Sequence, residues 1–504
     1  MKQVLSAFFL LLLCLGSVSG ASASGNSLYS EARMDAKELK QPEGAVLPVY
    51  SAPDEKAYRG ADGRACVSLR EEVTVLDSIR YGTWTLIEYD VSENEKRIGW
   101  IRTAQDAPEV KWSIYDWLSI DDLRKVGDNS EEARAAEQAE DQNYLRGDIR
   151  IAEPGKVVRN TTLTDDPRGG KRKIRNLKKG EYVGILYLDE FDEDDEWTYV
   201  ITTVDGKKAC GFIPSDAVEH HNPVHMEGST LVCDEGVEFI GREHPYYDYS
   251  IYYRGYGPVL SKAEYGMVQL ETLSPPRDVN NEEVRKIRLP STLRLMGDFA
   301  LCDMSLDELV IPEGTEYITG LAALVTMDIG TLHLPSTLRS FEFCSLDSFI
   351  RRYEVDSRNP FIKSVDGVVY SKDGKTLLKY PDDQKRLHYD VLKGTEEIHD
   401  MAFYLERLYT YDDSLSITSL SLPAGLRRIG ARAFYGLDNL VSLTIPPTVV
   451  EIGPGALEPM FSLTQLSIPE RLRDAVDEEL RMKLREEKYN GDNGNLVEKE
   501  KEMW

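Results

Sequence analysis

The chain has 504 residues, and its 87 aspartates and glutamates outnumber its 60 lysines and arginines to give a formal net charge of -27. This length leaves room for three or four domains. The acidic surplus excludes nucleic acid and anionic lipid from the expected partners, because both are bound by clustered lysine and arginine.

Residues 1–23 have the pattern of a secretory signal peptide. Lys2 precedes an apolar run from Val4 to Leu15, and Ala21-Ser22-Ala23 forms a small-residue cleavage site. The run is too short to span a bilayer and no other long apolar segment follows. We therefore expect a mature chain without a transmembrane segment that is secreted, periplasmic or on the cell surface. Lipidation at Cys14 is disfavoured, because Leu13 stands where a lipidation site needs a small residue.

Residues 42–106 and 151–218 each contain several short strands separated by turns, which predicts two small β-barrels. Trp84-Thr85 followed by Gly99-Trp100-Ile101 in the first is echoed by Trp197-Thr198 followed by Gly211-Phe212-Ile213 in the second. The echo indicates two related modules. The predicted strands of the first module are Ala45–Tyr50, Val73–Leu76, Trp84–Tyr89 and Gly99–Ile101.

Both modules resemble bacterial SH3-like domains. The first has that family's opening, Val49-Tyr50-Ser51-Ala52-Pro53, and its closing Gly99-Trp100-Ile101. The second has Leu163-Thr164-Asp165-Asp166-Pro167 and Gly211-Phe212-Ile213 instead.

Some members of that family bind cell-wall peptides or glycans, and many are spacers or protein-binding modules. The resemblance therefore implies candidate ligand-binding residues in the first module, which are Trp84, Tyr89 and Trp100. The competing interpretation is that these rings fill the core of a small barrel.

Two acidic segments in the first half are interpreted as structural. Residues 107–150 form an acidic linker in which Ser130–Glu140 is rich in helix formers and predicts a short spacer helix. The run Asp189–Glu196 lies between strand-like segments and lacks the ligand spacing and glycine of a calcium loop. We predict a solvated hairpin tip there.

Residues 219–282 connect the second module to the repeats that follow. Six tyrosines lie between Tyr246 and Tyr256. This cluster suits either an exposed binding patch or a β-segment that caps the first coil of the repeats.

No catalytic residue, metal site or cofactor is predicted. The chain has no Gly-x-Ser-x-Gly elbow and no phosphate loop. His220, His221 and His225 with Cys233 match no zinc-ligand spacing. Five cysteines remain after the signal, an odd number without a disulfide framework: Cys66, Cys210, Cys233, Cys302 and Cys344.

The second half contains a proline-marked repeat. Strands of the pattern apolar, variable, apolar end at Pro290, Pro312, Pro335, Pro423, Pro446 and Pro469. The intervals between these prolines are 22, 23, 88, 23 and 23 residues. Proline lacks the N–H that would continue a sheet ladder, so each strand ends there.

Positions after the first five prolines also repeat in register. Six residues on, the side chain is apolar, at Met296, Ile318, Phe341, Ile429 and Ile452. Ten residues on, it is small, at Ala300, Ala322, Ser345, Ala433 and Ala456. Eleven residues on, it is again apolar, at Leu301, Ala323, Leu346, Phe434 and Leu457. One unit cannot bury this surface alone, so the pattern predicts stacked coils of a solenoid.

The long interval between Pro335 and Pro423 holds a further unit and an insertion. Leu387-His388-Tyr389 starts a unit that continues through Ile398, Ala402 and Phe403. The segment from Asn359 to Pro381 predicts a β-hairpin with a turn at Lys372-Asp373-Gly374.

Over residues 283–470 these units resemble the BspA-type leucine-rich repeat of bacterial surface proteins. The segment from Asn359 to Pro381 looks like an insertion common in that family. The chain departs from the family pattern at Thr326, where an apolar residue is usual, and after Pro335. The resemblance implies a surface protein that binds other molecules.

In the C-terminal segment, residues 471–504, four apolar residues fall four apart, at Leu472, Val476, Leu480 and Leu484. This stripe predicts a helix that caps the last coil. The predicted fold is therefore multidomain and β-rich, with two SH3-like barrels, a leucine-rich-repeat solenoid and a capping helix.

Three functional hypotheses follow. The first is a non-catalytic, adhesin-like bacterial surface protein that binds a protein or glycan through the exposed middle residues of the solenoid strands. These candidate ligand-binding residues are Arg288, Val310, His333, Ser421, Thr444 and Ser467. The second is a peptidoglycan-binding envelope protein that uses the SH3-like modules. The third is a wall hydrolase, which the absence of a recognisable catalytic motif disfavours.

Overall fold

The computed structural model describes residues 33–35, 46–68, 72–79, 84–92, 95–103, 151–165, 173–187, 196–241, 264–320, 323–343, 348–381, 386–404, 417–457, 460–476 and 480. Several predictions lie outside these residues: the signal peptide, the linker helix, the acidic hairpin tip and the tyrosine cluster. Within the described residues, no helix is long and apolar enough to cross a bilayer.

The first module is an antiparallel sheet with the strand order β1-β4-β5-β6-β2-β3. Its strands are β1 (Arg33–Asp35), β2 (Val46–Tyr50), β3 (Cys66–Ser68), β4 (Glu72–Ile79), β5 (Trp84–Ser92) and β6 (Glu95–Arg102). A four-residue helix, α1 (Gly60–Gly63), follows β2. Each of the four predicted strands overlaps an observed one.

The second module is a seven-stranded antiparallel sheet with the order β13-β7-β10-β11-β12-β8-β9. Its strands are β7 (Glu153–Val157), β8 (Thr161–Thr164), β9 (Lys173–Leu177), β10 (Tyr182–Ile185), β11 (Trp197–Val204), β12 (Lys207–Pro214) and β13 (Val218–His220). A 3-10 helix, Ser215–Ala217, precedes β13. The SH3-like identity of the two sheets stays a prediction.

The two modules share one apolar cluster. Because side chains alternate along β6, Ile101 packs in the core of the first module while Trp100 packs with Tyr199 of the second. Trp100 Nε1 donates a hydrogen bond of 3.2 Å to Tyr199 Oη. The Tyr58 amide donates to the Lys208 carbonyl at 2.9 Å. The modules are therefore joined by a common core as well as by backbone hydrogen bonds.

The second half contains short strands from residue 224 to residue 467. They are β14 (Val224–Glu227), β15 (Thr230–Cys233), β16 (Phe239–Ile240), β17 (Gln269–Leu270), β18 (Lys286–Arg288), β19 (Leu295–Met296), β20 (Leu301–Cys302), β21 (Ser305–Val310), β22 (Tyr317–Gly320), β23 (Leu324–Val325), β24 (Asp328–Leu334), β25 (Ser340–Phe343), β26 (Phe349–Ile350), β27 (Tyr353–Val355), β28 (Ile362–Val365), β29 (Val368–Ser371), β30 (Thr376–Lys379), β31 (His388–Asp390), β32 (Glu397–Ile398), β33 (Ser419–Ser421), β34 (Arg428–Ile429), β35 (Ser442–Thr444), β36 (Glu451–Ile452) and β37 (Gln465–Ser467).

Most of these strands belong to stacked coils. Equivalent strands of successive coils pair with one another and form two rows. The first row consists of three parallel sheets: β15 with β18, β21 with β24 and β27, and β31 with β33, β35 and β37. In the second row β16, β19, β22 and β25 pair in parallel, as do β30, β32, β34 and β36.

The register of the second row confirms the predicted stacking. Met296 lies opposite Ile318, and Ile318 lies opposite Phe341. Ile429 lies opposite Ile452 in the same way. The positions six residues after each proline are therefore neighbours in successive coils, as a solenoid requires.

The insertion joins two apolar cores. Strands β28, β29 and β30 form an antiparallel meander with the predicted turn at Gly374, which has φ +81. One core contains Leu420 and Leu443 of the later coils, and we call it the C-terminal core; the other contains Leu309 and Leu332 of the earlier coils, and we call it the N-terminal core. Along β29, Val368 and Tyr370 pack in the C-terminal core and Val369 packs in the N-terminal core. Because consecutive side chains of a strand point to opposite faces, one strand serves both cores.

Threonine hydroxyls link the turns of successive coils. Thr315 Oγ1 donates to the Leu293 carbonyl at 3.2 Å, and Thr337 Oγ1 donates to the Thr315 carbonyl at 2.9 Å. Thr448 Oγ1 donates to the Leu426 carbonyl at 2.7 Å. These bonds satisfy carbonyl groups that the turns withdraw from the sheet ladders.

Asn359, where the insertion begins, also forms hydrogen bonds with backbone groups of a neighbouring turn. Its side chain is fully buried, and Nδ2 donates to the carbonyls of Pro335 and Leu338, both at 2.9 Å. Oδ1 accepts from the amides of Phe361 at 2.8 Å and Ile362 at 3.0 Å. One amide group therefore satisfies four backbone groups.

The solenoid starts earlier than the sequence analysis placed it. Leu231-Val232 and Glu235-Gly236 have the same spacing as Leu309-Val310 and Glu313-Gly314, but Asp234 stands where the later coil has proline. Strand β15 pairs in parallel with β18, and β16 pairs in parallel with β19. A coil without the marker proline therefore precedes residue 283, and β14 covers it by antiparallel pairing with β15.

The predicted C-terminal capping helix is not supported, although three residues of its apolar stripe are buried. Leu472, Val476 and Leu480 are buried in the C-terminal core. Residues Glu470–Ala475 form a 3-10 helix after Pro469, so the predicted α-helix is wrong there. Leu484 lies outside the described residues.

The second module also joins the solenoid directly. The Ala152 amide donates to the Met267 carbonyl, and the Gln269 amide donates to the Ala152 carbonyl, both at 2.9 Å. Glu264 lies 2.9 Å from Arg294 in the solenoid and 3.5 Å from Lys208 in the second module. Partial burial raises the pKa of Glu264, but the hydrogen bonds and charges of Arg294 and Lys208 outweigh it and leave the pKa lowered.

We predict that Asn359→Ala lowers the free energy of unfolding by about 3 kcal/mol, because it leaves buried backbone groups without partners. Urea denaturation of the full chain measures this. The control is Asn176→Ala, at an exposed asparagine, which should change stability by less than about 0.5 kcal/mol. Equal losses for both variants would contradict the role assigned to Asn359.

We predict that Glu264→Gln destabilises the protein at pH 7 by under about 1 kcal/mol, since this ion pair is partly solvated. The pKa of Glu264 is lower in the folded state, so its contribution is present at neutral pH and is lost as the pH falls through that value. Melting temperatures of wild type and variant should therefore differ at neutral pH and converge in acid. An equal difference at both pH values would refute this, and Glu470→Gln, at an 84% exposed side chain, is the control.

Candidate ligand-binding face of the solenoid

The first row of strands presents an outward surface, which we call the strand face. In β31, β33 and β35 the burial pattern is exposed, buried, exposed. Leu420 and Leu443 are the buried central residues of β33 and β35. Two residues of each strand therefore point to solvent, and stacking repeats them from coil to coil.

The six predicted ligand-binding residues lie on this face. Arg288, Val310, Ser421, Thr444 and Ser467 are exposed, and His333 is half-buried. Val310 lies opposite His333, and Thr444 lies opposite Ser467. The structure thus gathers them into two groups of three, with the insertion between the groups.

The N-terminal group lies among charged side chains that pair with one another. Arg288 lies 2.6 Å from Glu227, and His333 lies between Glu308 at 3.5 Å and Glu354 at 3.4 Å. Hydrogen bonds from Arg288 and His225 lower the pKa of Glu227. This half of the face therefore holds charged side chains, of which Arg288 and Glu227 form an ion pair.

The C-terminal group lies on a neutral surface rich in hydroxyl groups. Its ionisable residues are His388 and Asp390, which are 3.0 Å apart. Hydrogen bonds from Ser421 and His388 lower the pKa of Asp390. His388 Nδ1 lies 3.0 Å from Ser419 Oγ. The other outward side chains of β33, β35 and β37 are uncharged: Ser421, Ser442, Thr444, Gln465 and Ser467.

The sequence analysis missed the second exposed residue of each strand. Ser419, Ser442 and Gln465 precede Ser421, Thr444 and Ser467 by two positions and lie on the same face. The period of two along a strand would have identified them. The face is therefore two residues wide in every coil of this half.

The candidate ligand-binding role of the aromatic residues in the first module is wrong. Trp84, Tyr89 and Trp100 are 5%, 7% and 0% exposed. Tyr89 packs in the core of its own module, while Trp84 and Trp100 pack in the cluster shared by both modules. Rings buried this deeply offer no face to a ligand, so they have the core-filling role that was the competing interpretation.

His221 and His225 lie 2.8 Å and 3.4 Å from Asp234, whereas the two buried cysteines lie in separate cores. Cys210 and Cys233 are buried, and burial raises the pKa of each thiol to about 12. His221 Nε2 lies 2.8 Å from Asp234, whereas His220 lies 3.1 Å from Glu153. In the part of the chain that the structure describes, no group of three such residues is arranged to hold a metal ion.

Sequence comparison identifies the repeats. The model of the BspA type leucine rich repeat region matches in six copies, over residues 279–360 and 407–481. A search of curated proteins gave no significant match.

Three solved structures are similar to part of the chain. A leucine-rich repeat protein from Eubacterium ventriosum has 15% identity and a TM-score of 0.35, covering 54% of this chain and 70% of that chain. The pneumococcal vaccine antigen PcpA has 17% identity and a TM-score of 0.28, covering 56% and 82%. A leucine rich cell surface protein from Faecalibacterium prausnitzii has 14% identity and a TM-score of 0.23, covering 57% and 97%.

Similarity at these TM-scores carries no argument about function. The matched repeats and the parallel coils agree with each other over the same part of the chain. The second half of this chain is therefore similar to the BspA-type leucine-rich repeats of bacterial proteins.

Proposed function

We propose that this chain is a secreted or cell-surface bacterial interaction protein, adhesin-like and non-catalytic, that binds a protein or glycan through the strand face. The observation that carries the proposal is the C-terminal half of that face. Ser421, Thr444 and Ser467 are exposed in successive coils, and Asp390, which lies opposite Ser421, is the one acidic residue on the strands beside them. The predicted signal peptide, residues 1–23, supports export.

A neutral face stands out on a chain with a net charge of -27. Charged residues are depleted from the cores of protein interfaces, because a buried charge loses its hydration. Hydroxyl groups lose less on desolvation and form hydrogen bonds with many partners. The C-terminal half of the strand face therefore suits a ligand matched in shape and hydrogen bonding, whereas the N-terminal half holds charges that already pair.

Neither of the two buried thiols is suited to act as a catalytic nucleophile. A nucleophilic cysteine needs a lowered pKa and access to substrate. Cys210 and Cys233 have the opposite properties, since both are buried and their pKa is raised to about 12. They act as small apolar side chains in two separate cores.

The second hypothesis is peptidoglycan binding through the two SH3-like modules, and its candidate residues in the first module are buried. Trp84, Tyr89 and Trp100 would have to leave packed positions to reach a ligand. The two modules and the solenoid also share contacts, so full-length variants test the hypotheses better than isolated fragments do.

We predict that the triple variant Ser421→Arg, Thr444→Arg and Ser467→Arg loses binding, because three long cations cover the neutral face. Labelled full chain is applied to a glycan microarray, to immobilised extracellular-matrix proteins and to purified peptidoglycan. Wild type should bind a glycan or a protein, and the triple variant should bind it at least about tenfold more weakly.

The matched control adds the same charge away from the face. Val46→Arg, Val91→Arg and Val450→Arg replace valines that are 52%, 49% and 66% exposed. This control should bind as wild type does. Undiminished binding by the folded strand-face variant would remove the face from consideration, and retention on peptidoglycan alone would favour the second hypothesis.

A further inference from the structure

One short segment of the second module is basic, opposite in sign to the chain as a whole. Residues 168–179 contain seven lysines and arginines and no aspartate or glutamate, whereas the chain carries a net charge of -27. The structure describes this segment from Lys173 onward, where β9 is the last strand of its sheet and a turn follows at residues 178–180. An edge strand is accessible to a partner along its side.

A β-bulge directs two polar side chains of β9 away from the core. The register of β9 against β8 shifts where Ile174 is inserted as an extra residue. Ile174 and Leu177 both pack against the core of the second module. Lys173 and Asn176 are both exposed, and Asn176 Oδ1 accepts a hydrogen bond from Thr162 Oγ1 at 3.3 Å. The amide hydrogens of the Asn176 side chain therefore remain for a ligand.

The turn after β9 carries two further lysines. The Lys178 amide donates to Glu181 Oε1 at 2.8 Å, and the Lys179 amide donates to Asn160 Oδ1 at 2.9 Å. These bonds fix the backbone of the turn, while both lysine side chains are exposed. We call Lys173, Lys178 and Lys179 the lysine edge.

The acidic residues around the lysine edge are already paired with arginines. Three carboxylates are paired in this way: Glu181 with Arg175, Asp216 with Arg159, and Asp165 with Arg97. Among the residues that the structure describes, no carboxylate forms an ion pair with the lysine edge. Its three positive charges are therefore available to a ligand.

The spacing of these charges indicates an extended ligand. Lys173 and Lys178 are five residues apart, which corresponds to about 16 Å along an extended strand. A polymer with repeated negative charges fits this spacing better than one small anion does. Thr162 and Asn176 lie between the lysines and offer hydrogen bonds to uncharged polar groups. A sugar chain with acidic groups supplies both kinds of contact.

We propose that the lysine edge binds an acidic polysaccharide, whose sugar units carry carboxylate or sulfate groups. Segments that bind anionic lipid typically cluster roughly four to eight basic residues, and three free lysines fall short of that number. Surfaces that bind single-stranded nucleic acid add aromatic side chains on which bases stack, whereas the lysine edge has Thr162 and Asn176.

The negative charge of the whole chain does not prevent this contact. At physiological ionic strength charges are screened beyond about 8 Å, so a bound glycan interacts mainly with the lysines that it touches. The lysine edge belongs to the second module and not to the strand face, so the proposal does not rest on the proposed function. Separate variants test the two sites, and one can fail while the other stands.

Surface plasmon resonance of the full chain over immobilised heparin, hyaluronan and dextran tests the proposal. Heparin and hyaluronan are acidic, and dextran is neutral. Wild type should bind at least one acidic polymer and not dextran. The triple variant Lys173→Gln, Lys178→Gln and Lys179→Gln should bind at least about tenfold more weakly, because it removes the three free charges. Raising the salt concentration should weaken wild-type binding.

Two further variants serve as controls. Lys56→Gln, Lys286→Gln and Lys393→Gln together remove the same charge at other exposed lysines and should bind as wild type does. Replacing all three residues of the lysine edge with arginine keeps the charge and should preserve binding. Circular dichroism establishes that the variants are folded.

Three results would overturn the proposal. The first is a wild type that binds neither acidic polymer, and the second is an equal loss of binding in the glutamine control. The third is tighter binding to single-stranded DNA or to phosphatidylglycerol vesicles that the lysine-edge variant abolishes, because it would assign the site to another class of polyanion.

Discussion

Every coil of the solenoid depends on its neighbours to bury its apolar side chains. Met296 and Ile318 lie in adjacent coils, and neither could be covered by its own short strand. The same dependence extends across the insertion, because Val369 belongs to one core while Val368 and Tyr370 belong to the other. Strand β29 therefore joins the two halves, and the threonine bonds and Asn359 secure the turns that the stacking creates.

The stacking also determines the strand face, which is the surface that we propose binds a ligand. A strand that buries its central leucine must expose the residues on either side, and the parallel register aligns them from coil to coil. The chain uses this surface in two ways. Its N-terminal half holds ion pairs, such as Arg288 with Glu227 and Arg352 with Glu354, whereas strands β33, β35 and β37 hold uncharged outward groups. We assign binding to the second region because there the surface is not already committed to ion pairs.

The repeat was predictable because it depends on local chemistry. Proline ends each strand, and the apolar and small positions follow at fixed distances, so a single sequence shows the coils. The first coil was not predicted because Asp234 replaces the proline. The Glu235-Gly236 pair, which matches Glu313-Gly314, could have identified it. At the departure from the family pattern, the Thr326 hydroxyl donates a hydrogen bond to Asp303 in the neighbouring coil, which an apolar side chain could not do.

Whether Trp84 and Trp100 bind a ligand or pack in a core could not be predicted from sequence. An aromatic side chain suits a binding site and a core equally well, and which one it joins depends on a second module more than fifty residues away in the chain. The exposed residues Ser421, Thr444 and Ser467 were predictable as a face because alternation alone places them there. The neutrality of that face against the charge of the whole chain became visible only once the strands were aligned.

Hydrogen–deuterium exchange of the full chain tests the continuity of the stack most directly. If β29 belongs to both cores, the strand amides of residues 362–379 should exchange as slowly as the strand amides of the flanking coils. The hydrogen-bonded strands from β18 to β37 should then show similar protection. Rapid exchange across 362–379, separating two protected blocks, would contradict the account. The solenoid would then be two independent stacks, and its strand face would not be one surface.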